Sequence, residues 1–90
     1  MVFSYIISDE LAIIIEGLKR KNRPLALELF KKMDEIVSRD NVTIEFYKNL
    51  KRPMNEYKRV HIGHFVLKFK ADKERNLIIF AKFDHHDKIY

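Results

Sequence analysis

The apolar residues of this chain change their spacing once along its length, and that change constrains the fold. Between residues 9 and 37 they recur every three or four positions, as on one face of a helix. From Tyr57 onward they alternate with polar residues, as on a β-strand. A β-branched and aromatic segment, residues 2–7, precedes the helical part and reads as a short strand. The pattern therefore predicts strand, helix, helix and then three or four strands, which is an α+β fold.

The helical part divides into two helices with a short break between them. Ser8 is placed to cap the first helix, and Pro24 suits the first turn of the second. The two apolar stripes are Leu11, Ile14, Ile15 and Leu18, and then Leu25, Leu29, Met33 and Ile36. Because the connection at residues 22–24 is short, we expect an antiparallel helical hairpin packed on one face of a mostly antiparallel sheet.

The C-terminal half predicts a meander in which the two sheet faces differ in character. Gly63 marks a tight turn, residues 71–76 form a polar hairpin loop, and residues 77–83 read as a well-covered strand. The residues expected under the helices are Val60, Ile62, Phe65, Leu67 and Phe69. The opposite face then carries Arg59, His61, Val66, Lys68 and Lys70. Such a face is either solvated or a binding surface.

The segment between the helices and the meander is less regular. Residues 42–47 are compatible with a strand or with an extended strap. Lys48, Lys51 and Arg52 form a basic loop before Pro53, which marks a turn.

Composition sets broad limits on the class of protein. The 90 residues, 1–90, make a single domain, and the absence of cysteine excludes disulfides and thiolate metal sites. The N-terminus has no basic segment followed by a long apolar run, so we expect a cytoplasmic protein without a membrane partner. The net charge of +5 favours polyanionic partners, although a lysine-rich surface also serves solubility alone.

All the histidines lie in the last third of the chain, at His61, His64, His85 and His86. They accompany three fixed cations: Arg59, Lys68 and Lys82. Imidazole exchanges protons near neutral pH, and cations stabilise a crowded phosphate, so the cluster suits acid–base cleavage of a phosphodiester. The alternatives are exposed histidines with no role, or a metal site built from His61 and the tail sequence His-His-Asp, whose spacing fits no helical metal motif.

These residues carry a resemblance to the RelE/ParE superfamily of toxins from toxin–antitoxin pairs. Members share the order β-α-α-β-β-β, and their C-terminal half commonly reads Tyr-Arg-x-Arg-x-Gly-x-Tyr-Arg-x-x-Tyr before a His-Arg-x-x-x-Tyr tail. The stretch Tyr57-Lys58-Arg59-Val60-His61-Ile62-Gly63-His64-Phe65 and the tail His85-His86-Asp87-Lys88-Ile89-Tyr90 resemble that pattern. The family arginine after the glycine falls at or beside Val66, and the tail arginine corresponds to His86 or Asp87. The chain is therefore more similar to the histidine-using branch exemplified by YafQ.

The resemblance implies a ribosome-dependent mRNA endoribonuclease, or mRNA interferase, that acts in the ribosomal A site without metal or other cofactor. The resemblance carries catalytic roles over to His61, His86 and Tyr90, and the chemistry of phosphodiester cleavage adds Arg59 and His85 to the candidate catalytic set. His61 and His86 would be the acid–base pair, and Tyr90 would stack on a base. The candidate RNA-binding residues are Lys48, Lys51, Arg52, Lys58, Lys68 and Lys82.

The implied partners are a small cognate antitoxin of the RelB type, the ribosome and mRNA. The antitoxin would dock on an exposed sheet edge or on the helical hairpin. The alternatives are a non-catalytic member of the superfamily that binds an antitoxin or DNA gyrase, and a ribonuclease that needs no ribosome.

Overall fold

The computed structural model describes residues 2–89, and the order of elements is the expected one. Strand β1 (Ser4–Ile7) leads into helices α1 (Asp9–Lys21) and α2 (Arg23–Val37), and strands β2 (Lys58–Ile62), β3 (Phe65–Asp72) and β4 (Leu77–His85) follow. A single turn of helix, α3 (His86–Ile89), comes directly after β4. The α+β prediction and the helical hairpin are thus confirmed. None of the helices within residues 2–89 has the length and apolar character to cross a membrane.

Local signals in the sequence set the helix boundaries. The Ser8 Oγ accepts a hydrogen bond from the Leu11 amide (3.1 Å) and donates one to the Ala81 carbonyl (2.6 Å), so the cap also fixes α1 to β4. Asn22 ends α1 and caps α2, accepting from the Leu25 amide at 3.4 Å. Because one residue serves both ends, the hairpin connection is very short.

The sheet has the strand order β1-β4-β3-β2. β1 is parallel to β4, and the other neighbours are antiparallel. The main core lies between this sheet and the helices, and its largest fully buried side chains include Phe3, Leu11, Leu29, Phe69 and Phe80. The residues predicted to lie under the helices, Val60, Ile62, Phe65, Leu67 and Phe69, all belong to this core or pack against it.

A register shift in the β3–β4 pair changes which face the end of β4 presents. Lys68 pairs with Lys82 but Phe69 pairs with Phe80, so Ala81 is an extra residue in β4. This bulge allows both Phe80 and Phe83 to reach the helix-side core although they are three residues apart. Beyond the bulge, Lys82 and Asp84 therefore face away from the helices.

Residues 38–57, here called the strap, take a different form from the one expected. Residues 43–46 form a 3₁₀ turn rather than a strand, and this turn buries Ile44 in the main core. The strap then crosses the edge of β2, where the Arg59 amide donates to the Lys48 carbonyl (2.9 Å). On the other side of the sheet, Leu50 packs against Val66.

The second sheet face is therefore partly covered, which corrects the expectation of an open cationic face. Val66 is fully buried there, under Leu50 and beside the half-buried Met54 and Tyr57. An apolar residue in the middle of a polar face needed a cover, and the strap provides it.

Candidate functional site

Two of the histidines come together on the second face. His61 lies near the end of β2 and His86 begins α3, and their ring centroids are 5.6 Å apart with 31° between the planes. The His86 amide donates to the His64 carbonyl (2.9 Å), which holds the start of α3 against the turn after β2. Both imidazoles remain exposed, so both are accessible to a ligand.

Cations lie next to this pair along the sheet. Arg59 precedes His61 by two residues on the same face of β2, and the strand register places Lys68 and then Lys82 beside it. The Lys68 Nζ lies 4.7 Å from the centroid of the Tyr57 ring, a cation–π contact that positions the ammonium. The Lys82 Nζ is 3.8 Å from the Glu10 Oε1 and so reaches toward α1, at the far end of the row from His61.

A cleft connects the histidines with the strap. Its volume is about 710 Å³, within the range of small-ligand sites. One wall is formed by Arg59, His61 and His86, and the other by strap residues 50–54. Lys51 and Arg52 belong to that second wall and are exposed, so the cleft has cations on both sides.

Lys58 does not lie on this surface, and the expectation that it is an exposed RNA contact is wrong. It is only 6% exposed and lies on the helix side of β2, opposite to Arg59 and His61. Its ammonium donates to the Glu45 Oε1 (2.8 Å), the Tyr47 carbonyl (3.2 Å) and the Asn49 Oδ1 (2.8 Å). Lys58 thus holds the strap where it crosses β2.

Glu45 is the acidic partner in this anchor. Hydrogen bonds from Lys58 and then from Lys73 lower the pKa of the Glu45 carboxyl to about 2. The carboxylate therefore stays charged, and the anchor stays intact, well into the acid range.

His85 lies on the other side of the sheet from His86 and does not join the pair. It is paired with Phe65 across the strands, with ring centroids 5.7 Å apart, and its ring is stacked 6.4 Å from that of His64. Since Phe65 belongs to the helix-side core, His85 and His64 form a separate pair at the end of the sheet.

Carboxylates accompany the tail histidines. The His86 Nδ1 is 3.4 Å from the Asp87 Oδ1, close enough to orient that imidazole, and the His85 Nδ1 is 3.7 Å from the Asp87 Oδ2. The Asp84 Oδ1 accepts from the His85 amide (2.7 Å) and so helps to end β4. Within residues 2–89, no group of three or more His, Asp or Glu side chains lies close enough together to hold a metal ion.

The geometry does not bring two other candidates into the cleft, one because of its position and one because it is not described. Lys48 is exposed on the strap where it crosses β2, and it is not part of the cleft lining. Tyr90 lies outside the described residues. Three apolar strap residues that no sequence pattern had marked as part of the site also line the cleft: Leu50, Pro53 and Met54. Their place among Lys48, Lys51 and Arg52 was a signal that the basic loop had a packed side.

Comparison with known proteins gives two relatives of similar length. The chain is 41% identical over 78 residues to the candidate toxin RelE4 of Methanocaldococcus jannaschii, a match that covers 86% of this chain and 79% of that protein. It is 45% identical over 85 residues to an uncharacterised protein of Methanosarcina mazei, covering 93% and 94%. No family model matches the chain.

The fold is also that of two solved toxin structures. One is the toxin–antitoxin complex RelBE2 of Mycobacterium tuberculosis, with a TM-score of 0.75 and 13% identity over 96% of this chain and 100% of that one. The other is a mutant of the E. coli toxin RelE bound to an antitoxin RelBc peptide, with a TM-score of 0.68 and 14% identity over 100% and 92%. The similarity to RelE4 in sequence, over most of both chains, places this protein in the RelE family of toxins of toxin–antitoxin systems.

Proposed function

We propose that this RelE-family toxin is a ribosome-dependent mRNA endoribonuclease with a metal-independent, histidine-based site. The observation that carries the proposal is the pairing of His61 with His86, whose ring centroids are 5.6 Å apart. The pair lines a cleft together with Arg59, and the cleft has cations on both walls. Family membership supports the nuclease activity, and the YafQ-like use of histidine rests on this pair.

In the proposed reaction, one imidazole takes the proton of the RNA 2′-hydroxyl and the oxygen attacks the adjacent phosphorus. The bond from phosphorus to the 5′-oxygen breaks, and the other imidazole donates a proton to that leaving oxygen. The products are a 2′,3′-cyclic phosphate and a 5′-hydroxyl. Arg59, which lines the same cleft, is the group proposed to stabilise the charge that develops on the phosphate.

Holding the RNA in line for attack is the role proposed for the ribosome. The cleft is open and its cations are few, so the free chain supplies chemical groups but little positioning of a strand. Because orientation contributes a large part of a catalysed rate, cleavage of naked RNA should be far slower than cleavage of an A-site codon.

The test is primer extension on a defined mRNA in a purified translation reaction, with and without ribosomes. His86→Ala should reduce the cleavage rate by about 10²- to 10⁴-fold, the usual contribution of a general acid or base. His64→Ala is the matched control, because that exposed imidazole stacks on the His85 ring rather than on the His61–His86 pair, and it should retain most of the rate.

Three outcomes would count against the proposal. Equal loss in the two variants would contradict the assignment of His86. Cuts that appear without ribosomes would indicate a free ribonuclease. No cuts by folded wild-type protein would favour a non-catalytic member that binds an antitoxin or DNA gyrase.

A small RelB-type antitoxin is the proposed protein partner, since both solved structures are complexes with antitoxins. β1 is an edge strand with exposed Tyr5 and Ile6, so it offers an apolar sheet edge for such a partner. Hydrogen exchange at Ser4–Ile7 should slow when the antitoxin is bound. Unchanged exchange there would move the docking place away from this edge.

A further inference from the structure

The strap wall of the cleft contains more apolar surface than acid–base chemistry or phosphate binding requires. Leu50, Pro53 and Met54 line the cleft from this side, together with Lys51 and Arg52. Phosphate contacts are made by cations and amides, and covering Val66 accounts for Leu50 but not for the apolar surface that Pro53 and Met54 also present to the cleft.

This wall is a preorganised surface. The Leu50 amide donates to the Tyr57 carbonyl (2.9 Å), and the Tyr57 amide donates to the Met54 carbonyl (3.0 Å). The Asn49 Nδ2 donates to the Asn55 carbonyl (2.8 Å), which closes the turn from outside. Below it, Leu50 rests on the fully buried Val66.

Each layer of the wall has a different exposure. Leu50 is almost completely buried, Met54 is half-buried and Pro53 is exposed. Leu50 therefore serves mainly as support, while Met54 and Pro53 present apolar surface to whatever enters the cleft. A flexible, polarizable methionine adapts to a flat aromatic ring and makes favourable sulfur–aromatic contacts.

The combination of surfaces matches one chemical class of ligand. A nucleotide of single-stranded RNA has a flat base with apolar faces on one side of its sugar and a charged phosphate on the other. The cleft has an apolar wall at Pro53 and Met54 and cations at Lys51, Arg52 and Arg59. Proteins hold unstacked bases against flat aromatic rings or arginine guanidinium groups, and the contact of these faces supplies much of the affinity. Here the apolar surfaces of Pro53 and Met54, beside Arg52 and Arg59, offer a comparable contact for a base.

We propose that Met54 and Pro53 form a base-binding subsite for the nucleotide next to the phosphate held by His61 and His86. The inference rests on the proposed nuclease function and adds a specificity-determining surface to it. Loss of the Met54 side chain should weaken substrate binding about two- to tenfold, the range of one sulfur–aromatic contact.

The first experiment observes the methionine methyl groups by NMR during titration with a 2′-O-methyl RNA trinucleotide, which cannot be cleaved. Met54 lies in the cleft and Met33 lies in the core, so Met33 serves as an internal control. The Met54 methyl signal should move upfield through the ring current of the base, and that of Met33 should stay in place. The same trinucleotide with an abasic central residue should lose the shift.

The second experiment measures ribosome-dependent cleavage by Met54→Ala, with Val42→Ala, at an exposed strap position outside the cleft, as the control. Met54→Ala should raise KM by about two- to tenfold and change kcat little, because the contact is made in the ground state as well. The order of preference among A-site codons should also change in this variant, and Val42→Ala should match the wild type.

The two experiments separate failure of the subsite from failure of the nuclease function. If both trinucleotides move the Met54 signal equally, or if neither does at millimolar concentration, the subsite is overturned even if cleavage is observed. Unchanged KM and codon preference in Met54→Ala also overturn it. If the wild type cuts nothing but the base-dependent Met54 shift is present, the subsite stands and the nuclease function fails.

Discussion

Adjacent histidines in this toxin have the same chemistry but different surroundings. The His86 ring centroid lies 5.6 Å from that of His61 in the cleft, while the His85 ring meets Phe65 edge to face and stacks on His64 on the helix side of the sheet. Successive residues of a strand point to opposite faces, so the sequence already indicated that at most one of the two faces the site. Only the His86 imidazole joins His61 in the cleft, so only His86 is proposed as its acid–base partner.

Lys58 is the residue whose role differs most from its expected one, and its removal should affect stability. In Lys58→Met, the Glu45 carboxylate, the Tyr47 carbonyl and the Asn49 Oδ1 lose their shared donor at a partly buried site. We expect the free energy of unfolding to fall by about 1–3 kcal/mol, measured by urea denaturation. Lys70→Met, at an exposed ion pair with Glu56, should change it by less than about 0.5 kcal/mol. Equal losses would contradict the anchoring role.

Glu45 should make the stability of the fold depend on acid pH. Its pKa is about 2 in the folded chain, against an ordinary value of 4.5, so its contribution is complete above about pH 4.5 and is lost as the pH falls toward 2. Thermal unfolding at a series of pH values should show this loss in the wild type. Glu45→Gln should be less stable at neutral pH and should lose less stability in that window. An unchanged pH profile in the variant would rule out the linkage.

Two irregular elements build the site on a regular frame. The bulge at Ala81 turns Lys82 and Asp84 to the second face while Phe80 and Phe83 both stay in the core. The strap crosses the edge of β2, so that Ile44 packs on the helix side and Leu50 packs on the other. Together they produce a cleft whose walls come from segments far apart in the chain.

The contact between Val66 and the strap should decide how well the cleft is formed. Val66→Ala removes two methyl groups from a fully buried position and should cost about 1–3 kcal/mol of unfolding free energy. The strap should also open more often, because its support is weaker. Hydrogen exchange at the Leu50 amide, which donates to the Tyr57 carbonyl, measures that opening. Faster exchange at Leu50 with unchanged exchange in α2 is expected, whereas uniform acceleration would indicate only global destabilisation.

At the scale of the whole molecule, the positive charge is divided between a cleft and a solvated surface. Lys51 and Arg52 lie on the cleft wall, while Lys19 and Arg20 lie in the last turn of α1, where Lys19 pairs with Glu16 at 3.0 Å. The net charge of +5 therefore does not by itself show where a polyanion would bind.

Salt dependence should separate these two sets of cations. For the uncleavable RNA trinucleotide, each phosphate contact contributes about 0.7 to the slope of log affinity against log salt concentration. The variant with Lys51→Ala and Arg52→Ala should lose up to about twice that amount, measured by fluorescence anisotropy. The variant with Lys19→Ala and Arg20→Ala has the same net charge and should keep the wild-type slope. Equal slopes in the two double variants would mean that net charge alone attracts RNA.

The elements and their order could be predicted from residue patterns, because these depend on local periodicity and on helix caps. Helical stripes, the Ser8 cap and the turn at Gly63, whose φ of 62° favours glycine, are all readable within a few residues. The alternation along β2 correctly predicted that Arg59 and His61 lie on the sheet face opposite the helices. By the same alternation Lys58 belongs with Val60, so its buried position was also readable.

The assembly of the site, in contrast, depends on contacts that no short stretch of sequence specifies. The strap's path over β2, the bulge at Ala81 and the meeting of His61 with His86 depend on contacts between residues distant in the chain. Such contacts form because the free energy gained by burying Ile44, Leu50 and Val66 exceeds the cost of the irregular backbone. That balance cannot be predicted from the local sequence pattern, because tertiary burial overrides local propensity. The apolar wall at Met54 could not be predicted from the sequence for the same reason. Met54 lines the cleft only because the strap packs over Val66.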